Sequence, residues 1–414
     1  MAIFRPFRAL RPKNELAERV LALPYDVMNR AEARAMAGEN AYSFLRVTRA
    51  EIELPDSVDA YDARVYERSR ANLDAFIRDG VFLQDAAARF CIYRQTMDGR
   101  TQTGLVGCAS IDAYESGDIK RHELTRVEKE ADRIRHFDAC DANTEPVFLT
   151  YRADARIDGL IGDFARARAP VCDFVGADGV GHALWVVDDE SVTAALVRAF
   201  ADLEALYIAD GHHRSASAYR VGRMRRSAHP GFDGGEAFNF FMAVAFPDKE
   251  LRIFDYNRVV RDLAGLSVSD FLSEVGARFT VEARGTVSYA PQEKHCFGMF
   301  LANAWYALRA RENRIPKGDV IGALDVSILQ NALLDPVLGV KEPRTDSRID
   351  FVGGIRGLAE LERRVRSDMA VAFSLCPVSV AELLAVADSG LILPPKSTWF
   401  EPKLGSGLFV HMLS

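Results

Sequence analysis

The stretch Leu206-Tyr-Ile-Ala-Asp210-Gly-His-His-Arg214-Ser-Ala-Ser-Ala-Tyr-Arg220 constrains the fold more than any other part of the chain. Apolar residues run up to Asp210, a single glycine follows, and an alanine-rich segment that reads as a helix starts at once, which is the pattern of a strand, a tight turn and a helix start. Gly211 admits a backbone conformation that other residues avoid. The first N–H groups of the helix then point outward with the positive end of its dipole. A helix start of this kind holds an anion, most often a phosphate.

With 414 residues, 49% of them hydrophobic, the chain can bury one large core or two moderate ones, so two domains or one elaborated domain are expected. The balance of 52 basic against 59 acidic residues, a net charge of -7, argues against a broad nucleic-acid surface and leaves room for a local basic pocket. No apolar run approaches the roughly 20 residues that cross a bilayer, and the first residues lack the order of a signal peptide, so a cytoplasmic protein with no membrane partner is expected. The six cysteines form no Cys-x-x-Cys pair. Neither a zinc ribbon nor a dithiol redox centre is indicated, and buried free thiols are the expectation.

Taken in order, Leu23-Pro-Tyr-Asp-Val-Met28 turns the chain, and Asp26 either caps the helix that follows or belongs to a site. Asn40 to Val47 is a strand candidate and Tyr61 to Arg78 an amphipathic helix. Asp98-Gly99 between two alternating runs signals a hairpin. Residues 152–205 read as an inserted lobe of helix, strand and helix. Phe238 to Phe246 suits a central strand. From Gly265 a second unit opens, with its own strands and helices. These readings make the chain α+β, with an N-terminal domain over 1–264 and a smaller C-terminal α+β domain over 265–414 whose tail folds back on the body. That tail, Leu393 to His411, has aromatic anchors and prolines where a frayed polar end is usual, and it offers Lys396 and Lys403 to a phosphate. Packing of Trp399 and Phe400 is its alternative purpose.

Lys120-Arg-His-Glu-Leu-Thr-Arg-Val-Glu-Lys-Glu-Ala-Asp-Arg133 is dense in charge and is expected to start a helix near Thr125, with Glu128 completing a capping box. Arg121, His122 and Glu123 then fall in the loop before it, where they can converge on a ligand. Lys129 and Arg133 either add positive charge there or form a charged helix face. A zinc protease is set aside because position 126 is arginine where a second histidine is needed.

Phe7-Arg-Ala-Leu-Arg-Pro12, Pro24-Tyr-Asp-Val27, Arg121-His-Glu-Leu-Thr125, Asp210-Gly-His-His-Arg214 and Pro394-Pro-Lys-Ser-Thr-Trp-Phe-Glu-Pro-Lys403 together resemble the prokaryotic family catalogued as domain of unknown function 1015. The resemblance covers essentially the whole chain, in order. More distantly, Asp210-Gly-His-His-Arg214 resembles the Asp-Gly-His-Thr-Arg motif of free serine kinases of the ParB/sulfiredoxin-like fold, departing from it at His213. That resemblance implies a ParB/sulfiredoxin-like, nucleotide-binding N-terminal domain whose motif holds nucleotide phosphates. The Gly-Cys-His-Arg of sulfiredoxins is absent, and so is the DNA-binding region of ParB proteins.

The expected activity is phosphoryl transfer between ATP or ADP and a small hydroxyl metabolite, with free L-serine the first candidate. Such a reaction needs a held polyphosphate, charge neutralisation and a proton acceptor. Gly211, His212, His213, Arg214 and Ser215, with Arg121, His122, Thr125, Lys396 and Lys403, are the candidate nucleotide ligands. Adjacent histidines at a helix start point about 100° apart, so one of the two is expected to reach the ligand. Glu123 is the candidate general base with His122 as substitute, and His212 a candidate catalytic partner. Asp210 either holds a magnesium ion, orients a histidine, or caps the helix. A nucleotide-binding regulator and a phosphoester hydrolase are the competing readings, and a homodimer stays open.

Overall fold

The structure is a computed structural model that describes residues 3–414. It is α+β, with 13 α-helices and two main sheets among the described residues. Two compact units are present. The first runs through Leu251 and takes in Pro402–Ser414 as well; the second is Arg252–Glu401. The boundary expected near residue 264 therefore moves back, because Tyr256–Val260 is built into the second unit's sheet, between Val371–Leu375 and Ile349–Gly353.

The first unit holds a nine-stranded mixed sheet in the order Ile119–Lys120, Leu206–Asp210, Val147–Tyr151, Phe240–Pro247, Arg100–Ser110, Cys91–Met97, Gly181–Val186 and Cys172–Val175, with Phe4–Arg5 also paired to Arg100–Ser110. Leu206–Asp210 runs parallel to Ile119–Lys120, and Phe240–Pro247 runs parallel to Val147–Tyr151; every other pairing is antiparallel. Phe240–Pro247 is buried along its whole length, as a strand covered on both faces must be. The Asp98-Gly99 turn closes the expected hairpin, both residues adopting positive φ (52° and 73°), which matches the twist of the flanking strands. Residues 152–205 do not form a lobe of their own. Their strands Cys172–Val175 and Gly181–Val186 extend the main sheet, and helices Ala155–Ala167 and Glu190–Ala201 bury Ile157, Ile161, Phe164, Leu196 and Phe200 in its core.

Asn40 to Val47 is a set of turns leading into the short helix Leu45–Thr48, not a strand. Phe44, Leu45, Val47 and Thr48 are all buried, so the segment has no exposed alternate face, and Phe44, Leu45 and Val47 join Leu73, Phe76 and Phe82 in a second cluster of this unit. The chain's last segment is stitched into the same unit. Ser406 and Ala22 exchange backbone hydrogen bonds at 2.8 and 3.1 Å, Val410 and Leu10 exchange two at 2.9 Å, and His411–Met412 pairs with Ala142–Asn143.

The second unit is a six-stranded antiparallel sheet in the order Phe279–Gly285, Ala304–Ala310, Cys296–Leu301, Val371–Leu375, Tyr256–Val260 and Ile349–Gly353. Helix Gly357–Ser367 covers Phe300, Trp305 and Val352 through Leu361. Helix Val380–Asp388 starts on a capping box in which Ser379 and Glu382 each satisfy the other's backbone N–H.

Helix His212–Ala228, which begins at the Gly211 turn, lies so close to its neighbours that a Cβ on Gly222 would stand 2.5 Å from the Phe238 carbonyl oxygen and 2.6 Å from Ile111 Cδ1. Gly222→Ala is expected to destabilise the first unit by about 1–3 kcal/mol, the usual penalty of overpacking. Gly159→Ala, in helix Ala155–Ala167 with nothing within 4 Å, is expected to stabilise it by about 0.5–1 kcal/mol. Thermal unfolding of the two variants checks the pair; a Gly222→Ala protein as stable as the parent would contradict the packing described.

Candidate functional site

The site is built at the end of strand Leu206–Asp210. Its register against Val147–Tyr151 shifts between Ile208 and Asp210, and the chain then turns at Gly211 with φ +93°. Helix His212–Ala228 follows directly, with Gly211 at its N-cap and no side chain capping it. The amides of His212, His213 and Arg214 therefore lack intrahelical acceptors, whereas Ser215 N–H already bonds to the Gly211 carbonyl at 2.9 Å. Ser215 Oγ donates to the His212 carbonyl at 3.0 Å, so this hydroxyl is turned into the helix. Glycine is required at 211 for two reasons: the positive φ, and a Cβ there would come within 3.1 Å of Arg214 Nε.

Arg214 is buried beneath the turn. Its Nη1 donates to the Pro146 carbonyl at 2.6 Å, while the nearest oxygens of Asp210 and Asp26 stand at 3.9 and 4.0 Å from Nη2, too far for hydrogen bonds. Arg214 Nε has no partner although it is buried. Burial opposes the charge, but Asp26, Asp210 and Glu145 outweigh it and raise the guanidinium above its ordinary range. Asp210 Oδ1 accepts from Gly211 N–H at 2.8 Å, and its Oδ2 accepts from Lys403 Nζ at 3.1 Å. Burial works against ionisation of Asp210 as well, yet Lys403 and Arg214 hold its carboxyl well below the usual range. Behind them lies Glu145, fully buried. It accepts from Tyr25 N–H at 3.0 Å and Ser406 Oγ at 3.1 Å, and its other oxygen faces Arg133 at 3.5 Å. Arg133 in turn pairs with Asp132 at 2.9 Å and lies 4.0 Å above the Tyr25 ring.

Both motif histidines hold the loop before helix Val127–Cys140. His212 Nε2 lies 3.5 Å from the His122 N–H, and His213 Nε2 accepts from the Arg126 N–H at 3.0 Å. An acceptor nitrogen at Nε2 places the proton of His212 on Nδ1, which faces Glu123 Oε2 at 3.8 Å. The His122 and His212 rings meet edge to face at 4.5 Å. Burial, reinforced by His122, keeps His212 neutral, and burial likewise lowers His213. His122 is only 1% exposed, and neither of its ring nitrogens has a partner. Burial pushes its pKa down to about 4.

The structure thus gathers Glu123, His122, Asp210, Gly211, His212, His213, Arg214 and Lys403. Arg121 is exposed, its Nη1 3.4 Å from the Tyr114 hydroxyl and its guanidinium 4.9 Å from that ring's centre. Thr125 does not cap the helix, which starts one residue later behind Arg126; its hydroxyl donates to Glu130 at 2.7 Å instead. Lys396 belongs to the second unit, with Nζ 5.6 Å from the Tyr256 ring centre, so the two tail lysines fall in different units. Lys129 lies near the Tyr61 ring, while Arg133 is buried rather than part of a charged face. Asp26 turns to Arg214, and the helix after it, Arg30–Ala37, is capped by Asn29. Glu145 and Tyr25 were not legible as site residues. The one signal for Glu145 was a carboxylate directly before Pro146 at the head of an apolar strand.

A metal does not fit at Asp210. Both carboxylate oxygens are engaged, two cations stand beside them, and no group of three His, Cys, Asp or Glu side chains among the described residues could hold a metal ion.

The unpartnered His122 nitrogens generate a stability prediction. A buried polar group left without a hydrogen bond costs about 1–3 kcal/mol, so His122→Leu, which is close in volume and removes the nitrogens, is expected to raise the urea midpoint of the ligand-free protein at pH 7. Its pH dependence has a definite sign. The folded pKa of about 4 lies below the ordinary value of 6.5, so the unfolded chain takes up the proton first. Stability is complete above pH 6.5 and is lost as the pH falls toward 4, by about 2 kcal/mol for this one group at pH 5. The His122→Leu variant should show a shallower decline between pH 7 and 5. A lower midpoint at pH 7 with an unchanged decline would mean that the ring nitrogens are satisfied.

No curated protein matches the chain. Solved structures with some likeness include a free serine kinase in complex with ADP (10% identity, TM-score 0.34, covering 73% of this chain and 88% of that one). SbnI with a C-terminal truncation from Staphylococcus aureus shows 12% identity and a TM-score of 0.40, over 74% of this chain and 87% of its own. A conserved hypothetical protein from Pyrococcus furiosus shows 12% identity and a TM-score of 0.35, over 73% and 94%. At TM-scores below 0.5 these likenesses do not establish a shared fold. The sequence itself matches the model of one family over residues 4–327, most of its length. The chain therefore belongs to the family described as "Protein of unknown function (DUF1015)".

Proposed function

We propose that the Gly211 turn binds the terminal phosphate of ATP or ADP, and that the protein transfers that phosphoryl group to a small hydroxyl metabolite, with free serine as the first acceptor to try. One observation carries the reading: an uncapped helix start is lined by buried polar atoms that have no partner, Arg214 Nε and both nitrogens of His122. Buried polar atoms in proteins are almost always paired, and Arg214 Nε–H, the one N–H of a neutral His122 ring and the free helix amides are donors that an anion can satisfy together. The motif's resemblance to that of free serine kinases points the same way and implies a ParB/sulfiredoxin-like arrangement of the first unit.

In this reading the amides of His212, His213 and Arg214 cradle the phosphate, and Arg214 and Lys403 neutralise charge as it develops. Asp210 keeps both cations in place. The two histidines orient the loop through its backbone amides, and His212 Nδ1–H faces Glu123, which keeps that carboxylate directed at the helix start. The acceptor's hydroxyl oxygen attacks phosphorus as its proton passes to Glu123. The bond from phosphorus to the bridging oxygen breaks, and its electron pair leaves with the nucleotide. A magnesium ion would ride on the nucleotide's phosphates, and no protein group is assigned to it.

Purified protein incubated with ATP or ADP, magnesium and a panel of hydroxyl amino acids is expected to yield a new phosphate ester. Glu123→Gln should lower turnover by about 10²–10⁴-fold while ADP affinity stays unchanged. Loss of turnover in Asp26→Asn but not in Glu123→Gln would move the base to Asp26. ADP binding without an ester in any protein would make this a nucleotide-binding regulator, and free phosphate alone would make it a hydrolase.

Arg214→Ala separately tests the phosphate assignment. It should abolish the thermal stabilisation that ADP gives the parent protein, and equal stabilisation of both would refute it.

A further inference from the structure

Strands Cys296–Leu301 and Val371–Leu375 of the second unit are antiparallel neighbours, with Gly298 opposite Ser374 and Phe297 opposite Leu375. One further step in that register sets Cys376 opposite Cys296. The two segments stay together beyond the ladder: Lys294 Nζ donates to the Pro377 carbonyl at 2.7 Å and to Glu382 at 2.6 Å. Leu375 N–H points away from Cys296–Leu301, to Asn257 Oδ1 at 3.0 Å. Phe297 and Leu375 are thus a non-hydrogen-bonded pair, the last of the ladder, and a regular continuation by one residue would set the next two Cα atoms about 5.5 Å apart. That separation lies inside the ~4.4–6.8 Å a disulfide spans, and opposed residues project from the same face of a sheet.

The other near pair differs. Cys91 and Cys172 lie on strands either side of Gly181–Val186, opposite Val186 and Leu184; two strand spacings across and two residues along put them about 11–12 Å apart, which no disulfide bridges without backbone movement.

We propose that Cys296 and Cys376 are a reversible dithiol–disulfide site that exchanges with small-molecule disulfides of the glutathione class. Cys376 is half-buried and Cys296 buried, so Cys376 meets the reagent first. Its thiolate attacks one sulfur of the small disulfide, forming a mixed disulfide and releasing one thiolate, which takes up the proton Cys376 gave up. The Cys296 thiolate then attacks the Cys376 sulfur, the cross-strand bond forms, and the second small thiol leaves. The protein loses two electrons and two protons, and the small disulfide gains them. Burial pushes both thiols up; Lys294 opposes this at Cys376 and Arg309 at Cys296, while Asp325 adds to it at both, Glu382 at Cys376 and Glu293 at Cys296. Exchange should accordingly be slower than for an exposed thiol.

The full chain is equilibrated with glutathione mixtures of increasing oxidation, alkylated, digested and mapped by mass spectrometry. The expected result is one linked peptide joining Cys296 to Cys376, with Cys91, Cys108, Cys140 and Cys172 alkylated, and a raised melting midpoint that a reductant reverses. Cys296→Ser should trap a glutathione adduct on Cys376, and Cys376→Ser should show neither adduct nor link. Free thiols at both positions of the parent protein, or adducts that never resolve to the linked peptide, would overturn the proposal. The parent's peptide map decides the matter even if a serine variant does not fold.

Discussion

The pairing of Lys403 with Asp210 is the interaction on which the rest of the first unit's site depends, because it joins residues 193 apart in sequence and fixes three segments at once. It holds the carboxylate ionised beside Arg214, which a buried guanidinium needs, and it anchors the final segment whose Ser406 completes the hydrogen bonding of Glu145. Lys403 and Asp210 are partly buried, but Arg214 behind them is fully so, and removing its carboxylate would leave a buried charge uncompensated, which is far more damaging than the net worth of the pair. The long return of the chain to Ala22, Leu10 and Asn143 can be understood in these terms: the backbone pairings of the tail deliver a single ammonium group to the end of one strand.

Compensation here is electrostatic without being geometrically complete. Arg214 has carboxylates at 3.9 and 4.0 Å but a hydrogen bond only to a backbone carbonyl, and the His122 ring is enclosed with neither nitrogen hydrogen-bonded. A chain selected for stability alone would fill such positions with apolar side chains of the same size. Retaining polar atoms that lack partners fits a site whose hydrogen bonds are completed by a ligand, and it sets a cost in stability against that use.

Much of this was legible from local patterns. Asp210-Gly211 before an alanine-rich run specifies strand, turn and helix through steric rules that act over a few residues, and Asp98-Gly99 specifies its hairpin in the same way. Lys403 was drawn to the site by the odd composition of the tail, although Lys396 beside it went to the second unit. Periodicity failed where burial does not alternate: Ser43, Phe44 and Leu45 are buried in succession, and the strands of 152–205 extend a sheet whose other members are remote in sequence. Glu145 could not be assigned because its partners, Tyr25, Arg133 and Ser406, come from three separate segments, and the strand register that leads from Phe297–Leu375 toward Cys296 and Cys376 is not encoded in sequence spacing. One of the two histidines was expected to reach the ligand. Both use Nε2 on the loop, an arrangement set by that loop's backbone rather than by the helix.

The central claim is that the Gly211 turn is a phosphate site. A crystal of the protein soaked with ADP tests it most directly: the account predicts phosphate density within hydrogen-bond distance of the His212, His213 and Arg214 amides, with Arg214 Nε or His122 gaining a partner. Density for the nucleotide elsewhere, with the turn unchanged, would contradict it.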